Sequence, residues 1–193
     1  MRLIVAMTGA TGAIYGIRLL EVLKEKGLET HLILSRWAEE TIKMETSWTV
    51  EAVRKLAAAF YCEDDLGAAL ASGSFRHQGM IIVPCSMKTL ASIAHGLAIN
   101  LISRAADVTL KEGRKLILVP RETPLNAIHL ENMLRLARLG AVILPPMPAF
   151  YHHPRSLQDL VDHLIGRILD QLDIEHGLYQ RWPGAALARE EKS

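Results

Sequence analysis

Only two cysteines, Cys62 and Cys85, occur in 193 residues, and neither sits in a paired spacing that suits zinc or a disulfide framework. That scarcity predicts a reducing compartment. No charge of one sign dominates: 22 Lys and Arg stand against 21 Asp and Glu, a formal net charge of +1. A surface that neutralises many phosphates needs a larger basic excess, so no nucleic-acid partner is expected. No apolar run approaches the roughly 18 residues of a membrane span, so no membrane partner is expected either. The start, Met1-Arg2 and a short apolar run ending at Thr8-Gly9, lacks the long apolar region and small-residue cleavage site of a secretory signal. Together these absences predict a cytoplasmic protein. Internal repeats, low-complexity segments and Gly/Ser-rich linkers are also missing. The chain therefore reads as a single domain over 1–193, with a tail from about residue 183 that frays or docks on a neighbour.

What is present is alternation. Five short runs rich in Ile, Val and Leu, at 3–7, 30–34, 80–84, 116–119 and 141–144, are too short for core helices and read as buried parallel strands. Amphipathic stretches at 13–26, 37–44, 50–60, 87–94, 101–111, 125–139 and 157–172 read as helices between and after them. Gly27 suits the left-handed turn that ends the first helix, and Ser156 with Asp159 forms a capping pair at the start of the last. The pattern is that of an α/β three-layer sandwich around a parallel sheet.

Ligands of such sheets bind outside the carboxyl ends of the strands. Those positions hold Thr8-Gly9-Ala10-Thr11-Gly12, Ser35-Arg36-Trp37, Cys85-Ser86-Met87-Lys88-Thr89, Arg121-Glu122-Thr123 and a Pro-rich loop to Tyr151-His152-His153. Glycines, hydroxyls and a few charges on one rim describe a phosphate-bearing ligand. The glycine turn can hold an anion on its N–H groups, or it can be an ordinary strand-to-helix turn. Tyr15 stands where a third glycine of the dinucleotide fingerprint would fall and Ser35-Arg36 replaces the ribose-binding acid, which disfavours NAD and leaves NADP open. No Gly-Lys-Ser/Thr follows, so there is no Walker loop. Ser86 and Thr89 can serve one anion, or Ser86 can simply cap a helix. Cys85 reads as a buried hydrophobe before it reads as a nucleophile. Arg104 and Lys111 share one helical stripe, usually a solvated face. Arg167, at the edge of an apolar face, either snorkels or brings a cation into a pocket. His152 and His153 point to opposite sides of an extended segment and make a poor metal pair.

Taken together, Gly9-Ala10-Thr11-Gly12-Ala13, Ser86-Met87-Lys88-Thr89-Leu90, Arg104 to Val108 with Lys111-Glu112, Pro120 to Leu125, His129 to Met133 and Pro145 to His152 resemble the UbiX/Pad flavin prenyltransferases. The resemblance covers nearly the whole chain in order. It implies a Rossmann-like or flavodoxin-like subunit that assembles into a homododecamer. It also implies that a dimethylallyl group passes from dimethylallyl monophosphate to reduced FMN, giving prenylated FMN for a UbiD-type decarboxylase. Carried over by position, Gly9, Ala10, Thr11, Ser35, Ser86, Met87, Lys88, Thr89 and Arg121 resemble FMN contacts, and Tyr151 and Arg167 resemble contacts to dimethylallyl phosphate. Glu45, Arg104, Lys111 and Glu122 match charged active-site positions, with Arg104 grouped with the cofactor, Glu45, Lys111 and Glu122 with catalysis, and Lys111 also with the substrate. Thr11 stands where many relatives have Ser, which keeps the hydroxyl and adds a methyl.

A monophosphate leaves poorly, so cations must bind it and an acid must protonate it. Lys111, Arg121 and Arg167 can supply charge and Glu122 the proton. The only adjacent aspartates are Asp64-Asp65, so transfer is expected to need no metal. Either Glu45 or the departing phosphate can take the proton lost from the flavin ring. An FMN-dependent decarboxylase of aromatic acids is the alternative reading, and an NADP-binding reductase or non-catalytic sensor a further one.

Overall fold

A computed structural model of the chain describes residues 1–182 and 184; the expected tail at Arg189 to Lys192 lies outside them. By internal contacts the chain falls into two compact units, Met1–Pro146 and a second starting at Met147. The boundary falls inside the Pro-rich run at 145–148, which the single-domain reading of 1–193 passes through.

The first unit is a six-stranded parallel sheet. Its strands are β1 (Arg2–Met7), β2 (Glu29–Leu34), β3 (Ala59–Cys62), β4 (Gly79–Cys85), β5 (Lys115–Pro120) and β6 (Val142–Ile143). They lie in the order β3-β2-β1-β4-β5-β6, that of Rossmann folds, in which the direction of winding reverses between the first and fourth strands. The helices of this unit are α1 (Ala13–Glu25), α2 (Arg36–Glu45), α3 (Val50–Arg54), α4 (Met87–Ala94), α5 (Leu101–Lys111) and α6 (Ala127–Arg138).

Side chains alternate across the strands with period two. Ile4, Ala6, Met80, Ile82, Leu116 and Leu118 share one buried cluster with Leu90, Leu101, Ile102, Ala105 and Leu136 from α4, α5 and α6. On the opposite face α1 packs against β1, β2 and β4. Gly16 lets this helix approach closely, since a Cβ there would lie 2.7 Å from Met7 Cε and 2.6 Å from the Val83 carbonyl oxygen. Most of these core side chains are fully buried, and each fully buried Leu or Ile contributes on the order of 1.5–3 kcal/mol.

One expected helix is corrected. The stretch 50–60 is not continuous: α3 ends at Arg54, and Ala59–Cys62 pairs with His31–Leu34 as the edge strand. Phe60 and Tyr61 suit a pleated surface; the Tyr61 hydroxyl lies 3.1 Å from His31 Nδ1 and the Arg54 guanidinium sits over the Phe60 ring. These contacts outweigh the helix preference of Leu56-Ala57-Ala58. The final strand is also shorter than 141–144, and α6 starts at Ala127 because Asn126 caps it.

The second unit contains α7 (Leu157–Gln171). Ser156 and Asp159 close its first turn reciprocally as a capping box, as the sequence pair predicts.

Candidate functional site

The winding reversal leaves a crevice beside the ends of β1 and β4. Thr8, just past β1, is buried and ties the two strand ends together: its hydroxyl donates to the Pro84 carbonyl at 2.9 Å and accepts from Ser86 N–H at 2.7 Å. Ser86 then caps α4, accepting from Thr89 N–H at 3.3 Å while donating to Thr89 Oγ1 at 3.1 Å. Ser35 caps α2 in the same way, accepting from Ala38 N–H at 3.1 Å. A cavity of about 340 Å³ opens here between the starts of α2 and α4, lined by Gly9, Ser35, Ser86, Lys88 and Thr89 among others. The N-termini of α2, α4 and α5, several hydroxyls and the Lys88 ammonium favour an anion here, while the one lining carboxylate, Glu63, is occupied by donors from Arg36 and Asn100. Both readings of Ser86 hold at once, because it caps a helix and lines the cavity.

Gly9 is required by close approach, since a Cβ there would lie 2.3 Å from Trp37 Cβ. Ala10 is buried beside it. Met87 is partly buried and packs toward the core, away from the cavity lining.

A second cavity, about 520 Å³, is lined by Thr11, Gly12, Tyr15, Glu45 and Arg121 with Ile14 and Pro146. Gly12 precedes α1 with φ 105° and offers no capping side chain. The cap comes instead from the last residue of α2: Glu45 Oε2 accepts from Gly12 N–H at 2.8 Å and Ala13 N–H at 3.0 Å. The glycine turn thus binds an anion as its sequence suggests, but that anion is a carboxylate of the same chain. Burial alone would raise the Glu45 carboxyl, yet the Thr11 hydroxyl, the two backbone donors and the charge of Arg121 outweigh it. The group is held below the ordinary carboxylate range.

Cys85 is fully buried, and that burial pushes its thiol up to about 12. It is inert packing. Glu122 follows Arg121 on the exposed loop and accepts from Thr123 N–H at 3.0 Å.

Arg104 and Lys111 share a stripe of α5, as their spacing predicts, and neither lines these cavities. Arg104 donates to the Ala71 carbonyl and pairs with Asp107 at 3.0 Å; Lys111 pairs with Glu112. Lys111 ends α5, four residues before Lys115, which is aligned with Gly79 at the amino end of β4. Ser86 lies just beyond the carboxyl end of that seven-residue strand, so the two positions are separated by on the order of 20 Å.

In the second unit, the Tyr151 hydroxyl lies 2.9 Å from His163 Nε2. Arg167 pairs with Asp170 at 3.2 Å. Asp170 also accepts from the Tyr179 hydroxyl and Arg181, both at 2.6 Å, and lies 3.2 Å from His176 Nε2. Burial would raise the Asp170 carboxyl, but these hydrogen bonds outweigh it and keep the group ionised.

From the sequence Thr8 is named only as part of the strand-end run, and Glu63, Asn100 and Ser103 are not named at all. Glu63 accepts from Arg36 N–H and Asn100 Nδ2, each at 2.7 Å, fixing the starts of α2 and α5 at the first cavity. Asn100 and Ser103 form a capping box on α5 and line the same cavity. The Asn-x-x-Ser spacing was a readable signal for that pair, whereas nothing local marks Glu63.

The family model described as Flavoprotein matches residues 1–169. A probable UbiX-like flavin prenyltransferase of Streptomyces sp. (strain D7) is 58% identical over 190 residues, 98% of this chain and 95% of that protein. The crystal structure of a dodecameric FMN-dependent UbiX-like decarboxylase from Escherichia coli O157:H7 superposes with a TM-score of 0.94 at 55% identity, covering 95% of this chain and all of the other. A crystal structure of AnUbiX (PadA1) in complex with FMN and dimethylallyl pyrophosphate gives the same TM-score and identity, covering 95% of this chain and 97% of its own.

Proposed function

The chain belongs to the UbiX-like flavin prenyltransferases within the Flavoprotein family, and from that premise we propose that it transfers a dimethylallyl group from dimethylallyl monophosphate to reduced FMN. The observation that carries this reading is the pair of cavities along one sheet rim. One is an anion cradle of hydroxyls, helix N-termini and Lys88, and the other a cleft with an ionised Glu45 facing Arg121.

The first cavity fits a phosphate-bearing flavin: Ser35, Ser86, Lys88 and Thr89 offer donors where a phosphate and its polar chain need them, and Gly9 removes the side chain that would fill the space. Thr11, Glu45 and Arg121 line the second cavity, where the reacting end belongs. Bound reduced FMN supplies the nucleophile. The protein's part is to stabilise charge as the allylic carbon–oxygen bond breaks, which is electrostatic work for preorganised groups. Arg121 supplies charge to the phosphate and Glu122 is the acid that protonates it; Arg167, in the second unit, is the cation that the family resemblance assigns to dimethylallyl phosphate. Glu45, held as a carboxylate, faces the positive charge that develops on the allyl group. Because Glu45 is bound by three donors it is a weak base, so the departing phosphate is the better acceptor for the ring proton.

Lys111 acts in a neighbouring copy. Its position near the amino ends of the strands puts it out of reach of its own rim cavities, and α6 exposes Leu130 and Leu134, four residues apart on one face and suited to subunit contact. A homododecamer, the assembly named for the E. coli protein, accommodates both features. The product, prenylated FMN, is passed to a UbiD-type decarboxylase.

The test is anaerobic incubation with reduced FMN and dimethylallyl monophosphate, followed by mass spectrometry of the released flavin. Addition of one prenyl unit is expected. An unaltered flavin, together with carbon dioxide released from an aromatic acid by this protein and FMN alone, would establish the decarboxylase reading instead.

A further inference from the structure

We propose that His163 is a positioning residue for the allylic phosphate, donating from Nε2–H to the Tyr151 oxygen so that the phenol's single hydrogen is turned toward the anion. The inference rests on the assignment of Tyr151 to the dimethylallyl phosphate. His163, Arg167 and Asp170 follow one another at helical spacing along one stripe of α7. The stripe therefore carries, in order, the partner of Tyr151, the phosphate-binding cation and the carboxylate that steadies that cation.

His163 is only 7% exposed. His152 stacks on its ring, with centroids 4.6 Å apart and planes 8° from parallel, and Tyr179 packs on it at the same centroid distance. Neither competes for Nε2. The Tyr179 hydroxyl is committed to Asp170 at 2.6 Å, and both ring nitrogens of His152 are buried with no hydrogen-bond partner among the described residues. Burial, together with the charges of His152 and Arg167, lowers the His163 imidazole, against the opposing charge of Asp170. A neutral imidazole donates from one nitrogen and accepts at the other. If Nε2 accepts, Tyr151 spends its hydrogen on the histidine and presents only lone pairs to a phosphate. If Nε2 donates, the phenol keeps its hydrogen for a charge-assisted bond to the phosphate. Only the second arrangement attracts the substrate.

Kinetics with saturating reduced FMN and varied dimethylallyl monophosphate test this. His163→Phe keeps a ring between His152 and Tyr179 but removes the donor, and is expected to raise KM roughly tenfold or more while leaving FMN affinity unchanged. His163→Gln, whose amide can place an N–H near the Nε2 position, is expected to recover most of that loss. Adding His163→Phe to Tyr151→Phe is expected to cost nothing further. Independently, ¹⁵N solid-state spectra of histidine-labelled wild-type protein should show a protonated Nε2 on the resonance that His163→Gln removes. Wild-type KM in His163→Phe, a Gln variant as impaired as Phe, or an unprotonated Nε2 would overturn the proposal. If instead Tyr151→Phe alone leaves KM unchanged, the placement of Tyr151 on the phosphate is what fails, and the proposal fails with it.

Discussion

Glu45 sits where the positive end of α1 concentrates its charge, and its acidity records that fact. Its folded pKa is depressed, so its contribution to stability is fully present above the unfolded value of about 4.5 and is lost as pH falls through the lower folded value. Glu45→Gln should therefore lower stability at pH 7 by about 0.5–1 kcal/mol, a small effect because the residue is exposed. Wild type and variant should converge as pH falls through the depressed folded value of Glu45. Urea titrations of both proteins at equal concentration check this; a gap that widens on acidification would contradict the assignment. The two cysteines give a second expectation. Burial holds the Cys85 thiol near 12, while Cys62 is exposed, so a thiol reagent at pH 8 should label native protein at Cys62 alone and label Cys85 only after unfolding. Peptide mapping of the labelled protein reads this out. The sequence already ranked Cys85 as packing, because a Cys at a strand end is more often a small buried hydrophobe and no His is adjacent to activate it.

Among the elements, α1, α2 and α4 are fixed to the sheet by short polar links and by glycines that have no room for a methyl. Gly9→Ala would place Cβ against Trp37 Cβ and, at 3.3 Å, its backbone, forcing α2 away from β1. A loss of about 1–3 kcal/mol with weakened FMN binding is expected, measurable by thermal melting and flavin titration. Trp37→Ala should not rescue it, because the clashing atoms remain in alanine. Strand and helix placement was legible wherever the hydrophobic period was long, as in α1, α5 and α7. It failed at β3, a four-residue edge strand whose identity comes from pairing with β2. For the same reason the bracing contacts of Thr8 and Glu63 were not legible: Thr8 meets Ser86 across 78 positions and Glu63 meets Asn100 across 37, separations that no local pattern encodes. Ser35, Ser86 and Thr89 were legible because strand-end hydroxyls that begin helices carry a local signature.

The whole molecule is where a single chain falls short. The site proposed above takes Glu45 from one copy and Lys111 from another, and that division predicts complementation. Lys111→Ala and Glu45→Gln proteins, each expected to be inactive alone, should regain activity when coexpressed. Random assortment leaves roughly a quarter of the shared sites intact. Activity that stays at the level of either variant, with mixed oligomers demonstrated by mass spectrometry, would place both groups in one copy.

The carboxylate that closes the glycine turn also has a lesson for protein engineering. Gly12 and Ala13 meet Glu45 from more than thirty positions away, so the loop that looks like a self-contained ligand motif is one half of a two-part component. Transplanted into another scaffold without the final turn of α2, it would arrive with two open donors and recruit whatever anion the buffer offered. The portable unit is the pair, and a graft that respects it must carry both segments and the spacing between them.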